Sequence, residues 1–160
     1  MANASVSLVG RQVPDFSAAL TSGKTFQLSA YAGRHLVLYF YPKDDTPGCT
    51  TEGGDFRNHY AAFQAAGSDI VGISRDSLKS HENFKAKMQF PFELLSDPEE
   101  TVCTLFDVMK LKNMYGKQVR GIERSTFLID PQGVIAAEWR KLSVAGHAAA
   151  VLETVRSLST

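Results

Sequence analysis

Cys49 sits where the local sequence favours an ionised thiol. It follows Thr46-Pro47-Gly48, in which Thr46 reads as a helix N-cap and Pro47 as the first helical residue. The thiol then lies in the first turn, where amide N–H groups lack intrahelical acceptors and the helix dipole is positive. Both features favour the thiolate, the nucleophilic form of cysteine. A lone cysteine is more often a small core residue; the helix start argues for attack by sulfur on an electrophile instead. As a cap, the Thr46 hydroxyl is expected to accept from a backbone N–H two or three residues on.

Competing chemistries find less support. Dithiol exchange uses a C-x-x-C pair, and the two cysteines are Cys49 and Cys103. A cysteine hydrolase needs a histidine held beside the sulfur. His35, His59, His81 and His147 are scattered without a surrounding motif and read as surface or core-edge residues. The histidines also lack metal-ligand spacing, and Asp44-Asp45 reads as a solvated loop pair, so neither a metal nor a bound cofactor is expected. Gly116 to Gly121 lacks the G-x-x-x-x-G-K-[ST] pattern and a preceding strand. Lys110, Lys112, Lys117 and Arg120 read as a solvated loop face, because 17 basic and 17 acidic residues cancel. That balance gives no overall field for nucleic acid or anionic membrane.

The elements that must position Cys49 are legible on either side of it. Leu36 to Tyr41 is a continuous apolar run, the pattern of a buried strand. From Pro47 a helix is expected to about Ala66, with Phe56, Tyr60 and Phe63 on one face and Gly67 as its C-cap. Asp69 to Ser74 is a second buried strand, and Ser77 to Met88 a helix ended by Pro91. Leu94-Leu95 is a short strand. Asp97-Pro98 opens a helix with Val102, Leu105 and Phe106 as its apolar face and Cys103 beside them. Lys110 to Glu123 has no clean period and reads as a loop. Ser125 to Ile129 and Val134 to Trp139 are strands joined by the turn Asp130 to Gly133. A last helix, from about Gly146 to Leu158, turns Ala150, Val151, Leu152 and Val155 inward. Upstream, residues 1–11 read as a loose arm, Val13 to Phe16 as the entry segment, and Lys24 to Leu28 as a short strand.

Strands alternating with helices, then a hairpin and a closing helix, predict an α/β fold with a mixed sheet covered on both faces. The 160 residues suffice for a single domain spanning 1–160. No apolar run approaches the ~18 residues of a membrane span. The first ten residues lack the basic-then-apolar pattern of a secretory signal, and two cysteines are too few for a disulfide scaffold. A cytoplasmic location is the expectation.

The spacing Pro42-x-x-x-Thr46-x-x-Cys49, continued as Cys49-Thr-Thr-Glu52 and joined by Arg124, resembles the active-site signature of the peroxiredoxins. Ser80 to Phe84, Asn113 to Lys117 and Gly121 to Phe127 are similar to the bacterioferritin comigratory protein, or Q-type, group. The resemblance covers nearly the whole chain. It implies a thioredoxin-like fold with an N-terminal extension, a monomer rather than a ring, and a thiol-dependent peroxidase acting on hydrogen peroxide and organic hydroperoxides. It also implies roles. Cys49 becomes a sulfenic acid; the Thr46 hydroxyl meets its sulfur and the peroxide. Pro42 shields it, Arg124 lowers its pKa and donates to the peroxide oxygens, and Glu52 orients Arg124.

The sulfenic acid must then be reduced. In the group a second cysteine often stands five residues after the first, or in the next helix. Those positions are Gly54 and Lys85 here. Cys103, in its apolar setting, reads as buried and inert, which leaves an external thiol such as thioredoxin or glutaredoxin. A peroxide sensor or chaperone-like binding protein would use the same cysteine without turnover.

Overall fold

The computed structural model describes residues 6–159. In chain order the elements are β1 (Ser17–Ala19), β2 (Thr25–Gln27), a 3-10 turn (Leu28–Tyr31), β3 (His35–Phe40), α1 (Pro47–Asn58), α2 (Tyr60–Ala65), β4 (Ser68–Ser74), α3 (Leu78–Met88), β5 (Glu93–Ser96), α4 (Thr101–Leu105), β6 (Met109–Met114), β7 (Lys117–Ile122), β8 (Ser125–Ile129), β9 (Ile135–Arg140) and α5 (His147–Leu158). The central sheet runs β5-β4-β3-β8-β9. Within it β3, β4 and β5 are parallel, while β8 is antiparallel to β3 and to β9.

Strand β3 is buried at every position, and its alternation divides the core in two. Leu36, Leu38 and Phe40 join Phe26, Val102, Cys103, Phe106 and Phe127 on one face. Val37, Tyr39 and Tyr41 join Cys49, Phe56, Phe63, Phe84 and Val151 on the other. Helices α1, α2, α3 and α5 cover the second face; the β1–β2 hairpin and α4 cover the first. The mixed, doubly covered sheet is the one the element pattern predicts.

Several expectations need correction. The helix expected from Pro47 to Ala66 is interrupted at His59, whose φ of −101° and ψ of 2° leave the helical range. Its ring Nδ1 lies 2.9 Å from the Asp55 carbonyl, which also accepts from the His59 N–H at 3.2 Å. Lys110 to Glu123 is not a loop: β6 and β7 form a hairpin turning on Tyr115 and Gly116, both left-handed. Leu105 and Ala150 face solvent; Cys103 and Ala148 occupy the inward positions instead. The arm expected over residues 1–11 is held from Leu8 onward. The Leu8 N–H donates to Glu138, and Gly10 and Arg11 exchange backbone bonds with Ile135. Residues 1–5 of that arm lie outside the described residues.

Candidate active site

The strand-to-helix junction is built as the sequence suggests, with one difference. After Tyr41, whose N–H donates to Ile73, the chain turns through residues 42–46 and enters α1 at Pro47. Asp45 is left-handed (φ 59°) and is tied to Lys87 at 2.7 Å. Thr46 is the extended N-cap residue, but its side chain does not cap. Its hydroxyl donates to the Lys43 carbonyl at 2.8 Å, closing the loop on itself. The first-turn N–H groups therefore receive no bond from Thr46. Pro42 is half-buried at the head of this loop.

Cys49 is the third residue of α1 and is 2% exposed. Arg124 reaches it from 75 residues away because β8 pairs with β3 in a register that sets Ser125 opposite Phe40. The residue just before β8 thus lies beside the loop just after β3. Both terminal nitrogens of Arg124 sit 3.5 Å from the Cys49 Sγ. Its Nη1 also donates to Glu52 Oε1 at 2.7 Å. Gly48 permits this approach, since a Cβ there would stand 3.0 Å from Arg124 Nη2.

Glu52 is not a solvated helix-face acid. It is 1% exposed, and its Oε2 finds no hydrogen-bond partner. Burial pushes its carboxyl up to about 7, although the Arg124 guanidinium pulls the other way. Burial works against the Arg124 charge too, yet Glu52 and the Cys49 sulfur together hold Arg124 above its ordinary value. A cleft of about 390 Å³ opens beside Arg124, lined by Lys110, Lys112, Lys141 and Leu142 among others. Lys112 belongs to the hairpin rather than to a loop face, and its Nζ donates to the Ile122 carbonyl at 2.6 Å.

Cys103 belongs to the other half of the core. It is fully buried among side chains on the opposite face of β3 from Cys49. Burial, reinforced by Asp97, pushes its thiol well up. A bond between the two sulfurs would have to cross the sheet.

Two expectations about polar residues are corrected. Asp44 is buried rather than solvated, and His35, His81 and His147 are buried as well. Asp44, Asp76 and His81 come within 4.8 Å of one another, a set no local spacing announces. The ring nitrogens of His81 already face Asp44 Oδ2 at 2.7 Å and the Leu95 carbonyl at 3.0 Å.

The chain matches the model of the AhpC/TSA family over residues 9–138. It is 57% identical to Peroxiredoxin Bcp of Xanthomonas campestris over 143 residues, 89% of each chain. It is 48% identical to Peroxiredoxin Bcp of Bacillus subtilis over 151 residues, 94% of this chain and 96% of that one. The crystal structure of a cysteine-to-serine mutant of Xylella fastidiosa PrxQ superposes with a TM-score of 0.93 at 42% identity, covering 98% of this chain and all of the other. The architecture is the thioredoxin-like fold with an N-terminal extension.

Proposed function

The chain belongs to the AhpC/TSA family as a Bcp-type, or Q-type, peroxiredoxin, a thiol-dependent peroxidase, and from this premise we propose that Cys49 is its peroxide-reducing residue, served by Arg124 and Glu52. The observation that carries the assignment is the pair of 3.5 Å contacts from the Arg124 fork to the Cys49 sulfur. The Cys49 thiolate attacks the terminal oxygen of the peroxide in line with the O–O bond. An S–O bond forms, the O–O bond breaks, and the leaving alkoxide or hydroxide takes up a proton. Arg124 N–H groups donate to the oxygens as charge develops on them. Glu52 holds the guanidinium in place by its charge-assisted bond. Pro42 walls the loop. The Thr46 hydroxyl, engaged by Lys43 before substrate arrives, can rotate to the incoming oxygen.

The resulting sulfenic acid is reduced by an external thiol. A first thiolate attacks the Cys49 sulfur and releases hydroxide, which is protonated to water; a second thiol then breaks the mixed disulfide and restores Cys49. Support for an outside reductant comes from Gly54 and Lys85 at the positions where the group carries a resolver, and from Cys103 across the sheet. Such turnover fits a monomeric protein in the reducing cytoplasm. Steady hydrogen peroxide consumption with a thiol reductant, compared between the native protein and Cys49→Ser, tests the assignment. Full activity in Cys49→Ser would sink it. A single stoichiometric oxidation without turnover would favour a sensor.

A further inference from the structure

Peroxide chemistry at Cys49 leaves the buried cluster around Asp44 without a role. Asp44 lies in the loop that delivers Cys49, and its carboxylate is enclosed by donors. The Tyr41 hydroxyl donates to Oδ1 at 2.6 Å. The Ser80 hydroxyl donates to Oδ2 at 2.8 Å, and His81 Nδ1 stands 2.7 Å from the same oxygen. The Asp44 N–H donates to Asp76 Oδ2 at 2.9 Å, and the Ser74 hydroxyl donates to that oxygen at 2.5 Å.

Both ring nitrogens of His81 are engaged. Its Nε2 faces the Leu95 carbonyl at 3.0 Å, which can only accept, so Nε2 donates. Its Nδ1 faces Asp44 Oδ2 at 2.7 Å, and the ring is 0% exposed. Neither nitrogen is left facing open space. The pair joins residues 42–46 to α3 and, through Leu95, to β5. It grips the loop from the α3 side, while Arg124, held by Glu52, meets Cys49 from the β8 side.

We propose that Asp44 and His81 are positioning residues for peroxide reduction, fixing the loop of residues 42–46 so that the Cys49 sulfur meets the Arg124 fork. They touch neither sulfur nor substrate, and the proposal rests on Cys49 being the peroxide-reducing residue.

Two near-isosteric substitutions separate positioning from simple packing. In His81→Asn the side-chain amide overlays Nδ1 and keeps a donor toward Asp44. In His81→Gln the amide overlays Nε2, keeps the bond to Leu95 and abandons Asp44. The readout is the second-order rate of Cys49 oxidation by hydrogen peroxide, with thermal midpoints measured in parallel. His81→Asn is expected within about threefold of the native rate and His81→Gln slower by about tenfold or more, as small misplacements of reacting groups produce. Equal slowing by both, or slowing by neither, overturns the proposal. Should these variants not fold, Ser80→Ala carries the test, because it removes one bond to Asp44 at the edge of the core. It is expected to slow oxidation by about threefold at an unchanged midpoint, and a native rate there overturns the proposal. Failure of the underlying assignment looks different, since the native protein itself would then not react with peroxide at Cys49.

Discussion

The contact between the Cys49 sulfur and the Arg124 fork depends on a neighbour with no side chain. A Cβ at Gly48 would lie 3.0 Å from Arg124 Nη2, closer than such atoms normally rest. Arg124 has little freedom to retreat, because the same guanidinium is held by Glu52 at 2.7 Å. Alanine at position 48 should therefore push the fork away from the sulfur. The same change favours the helix, since alanine exceeds glycine in helix propensity by about 1 kcal/mol. Gly48→Ala is thus expected to be as stable as the native protein or more so, yet slower in peroxide reduction by about tenfold, given how steeply rate depends on reacting geometry. Stopped-flow oxidation kinetics paired with chemical denaturation would check this. A native rate in Gly48→Ala would mean that the fork tolerates displacement.

At the scale of elements, β3 decides what each cysteine can do. Its alternating side chains send Cys49 and Cys103 into different halves of the core. Cys103→Ser is accordingly expected to retain peroxide turnover with a small-thiol reductant, measured as steady consumption; loss of turnover would make Cys103 the resolver after all. Strand β3, the helix start at Pro47 and the burial of Cys103 were readable because an apolar run, a Thr-Pro pair and flanking hydrophobes are local signals. The β6–β7 hairpin was not. Its strands, Met109–Met114 and Lys117–Ile122, are largely exposed, so no core imprinted a period-two pattern on them. Tyr115-Gly116 also replaces the usual Asn-Gly at a turn that needs two left-handed residues. The break at His59 is a departure of one residue's φ and ψ that helix propensity does not encode. Arg124 became legible as a site residue only through resemblance, because its approach is set by the pairing of β3 with β8. The Asp44–His81 pair was missed for a similar reason: 37 residues separate its members.

Over the whole molecule, two buried groups should oppose each other in the response of stability to pH. Burial raises the Glu52 carboxyl from 4.5 to about 7, so between those values the folded state holds a proton that the unfolded chain has lost. Stability from this group therefore falls as pH rises through that window. His147 has the reverse sign. Burial, with Arg124 adding to it, lowers the imidazole from 6.5 to about 4, so the unfolded chain binds the extra proton and stability falls as pH drops through the window. The two windows overlap between pH 4.5 and 6.5. Taken from 4.5 to about 7 and from 6.5 to about 4, each group is worth about 3 kcal/mol at 1.36 kcal/mol per pH unit, so in the native protein they oppose each other with similar size. Both groups border the site: Glu52 pairs with Arg124, and the His147 ring packs edge-on against Phe56 of α1 at 5.9 Å. Removing one should expose the other. Glu52→Gln is expected to lose about 3 kcal/mol relative to the native profile as pH falls from 6.5 to 4.5, while His147→Gln gains about the same over that range. Other carboxylates, such as Asp44 and Glu93, which are held below their ordinary values despite burial by their hydrogen bonds, act alike in all three proteins and drop out of the differences. Denaturant unfolding at several pH values gives those differences directly, and parallel profiles for the three proteins would show that neither group shifts on folding.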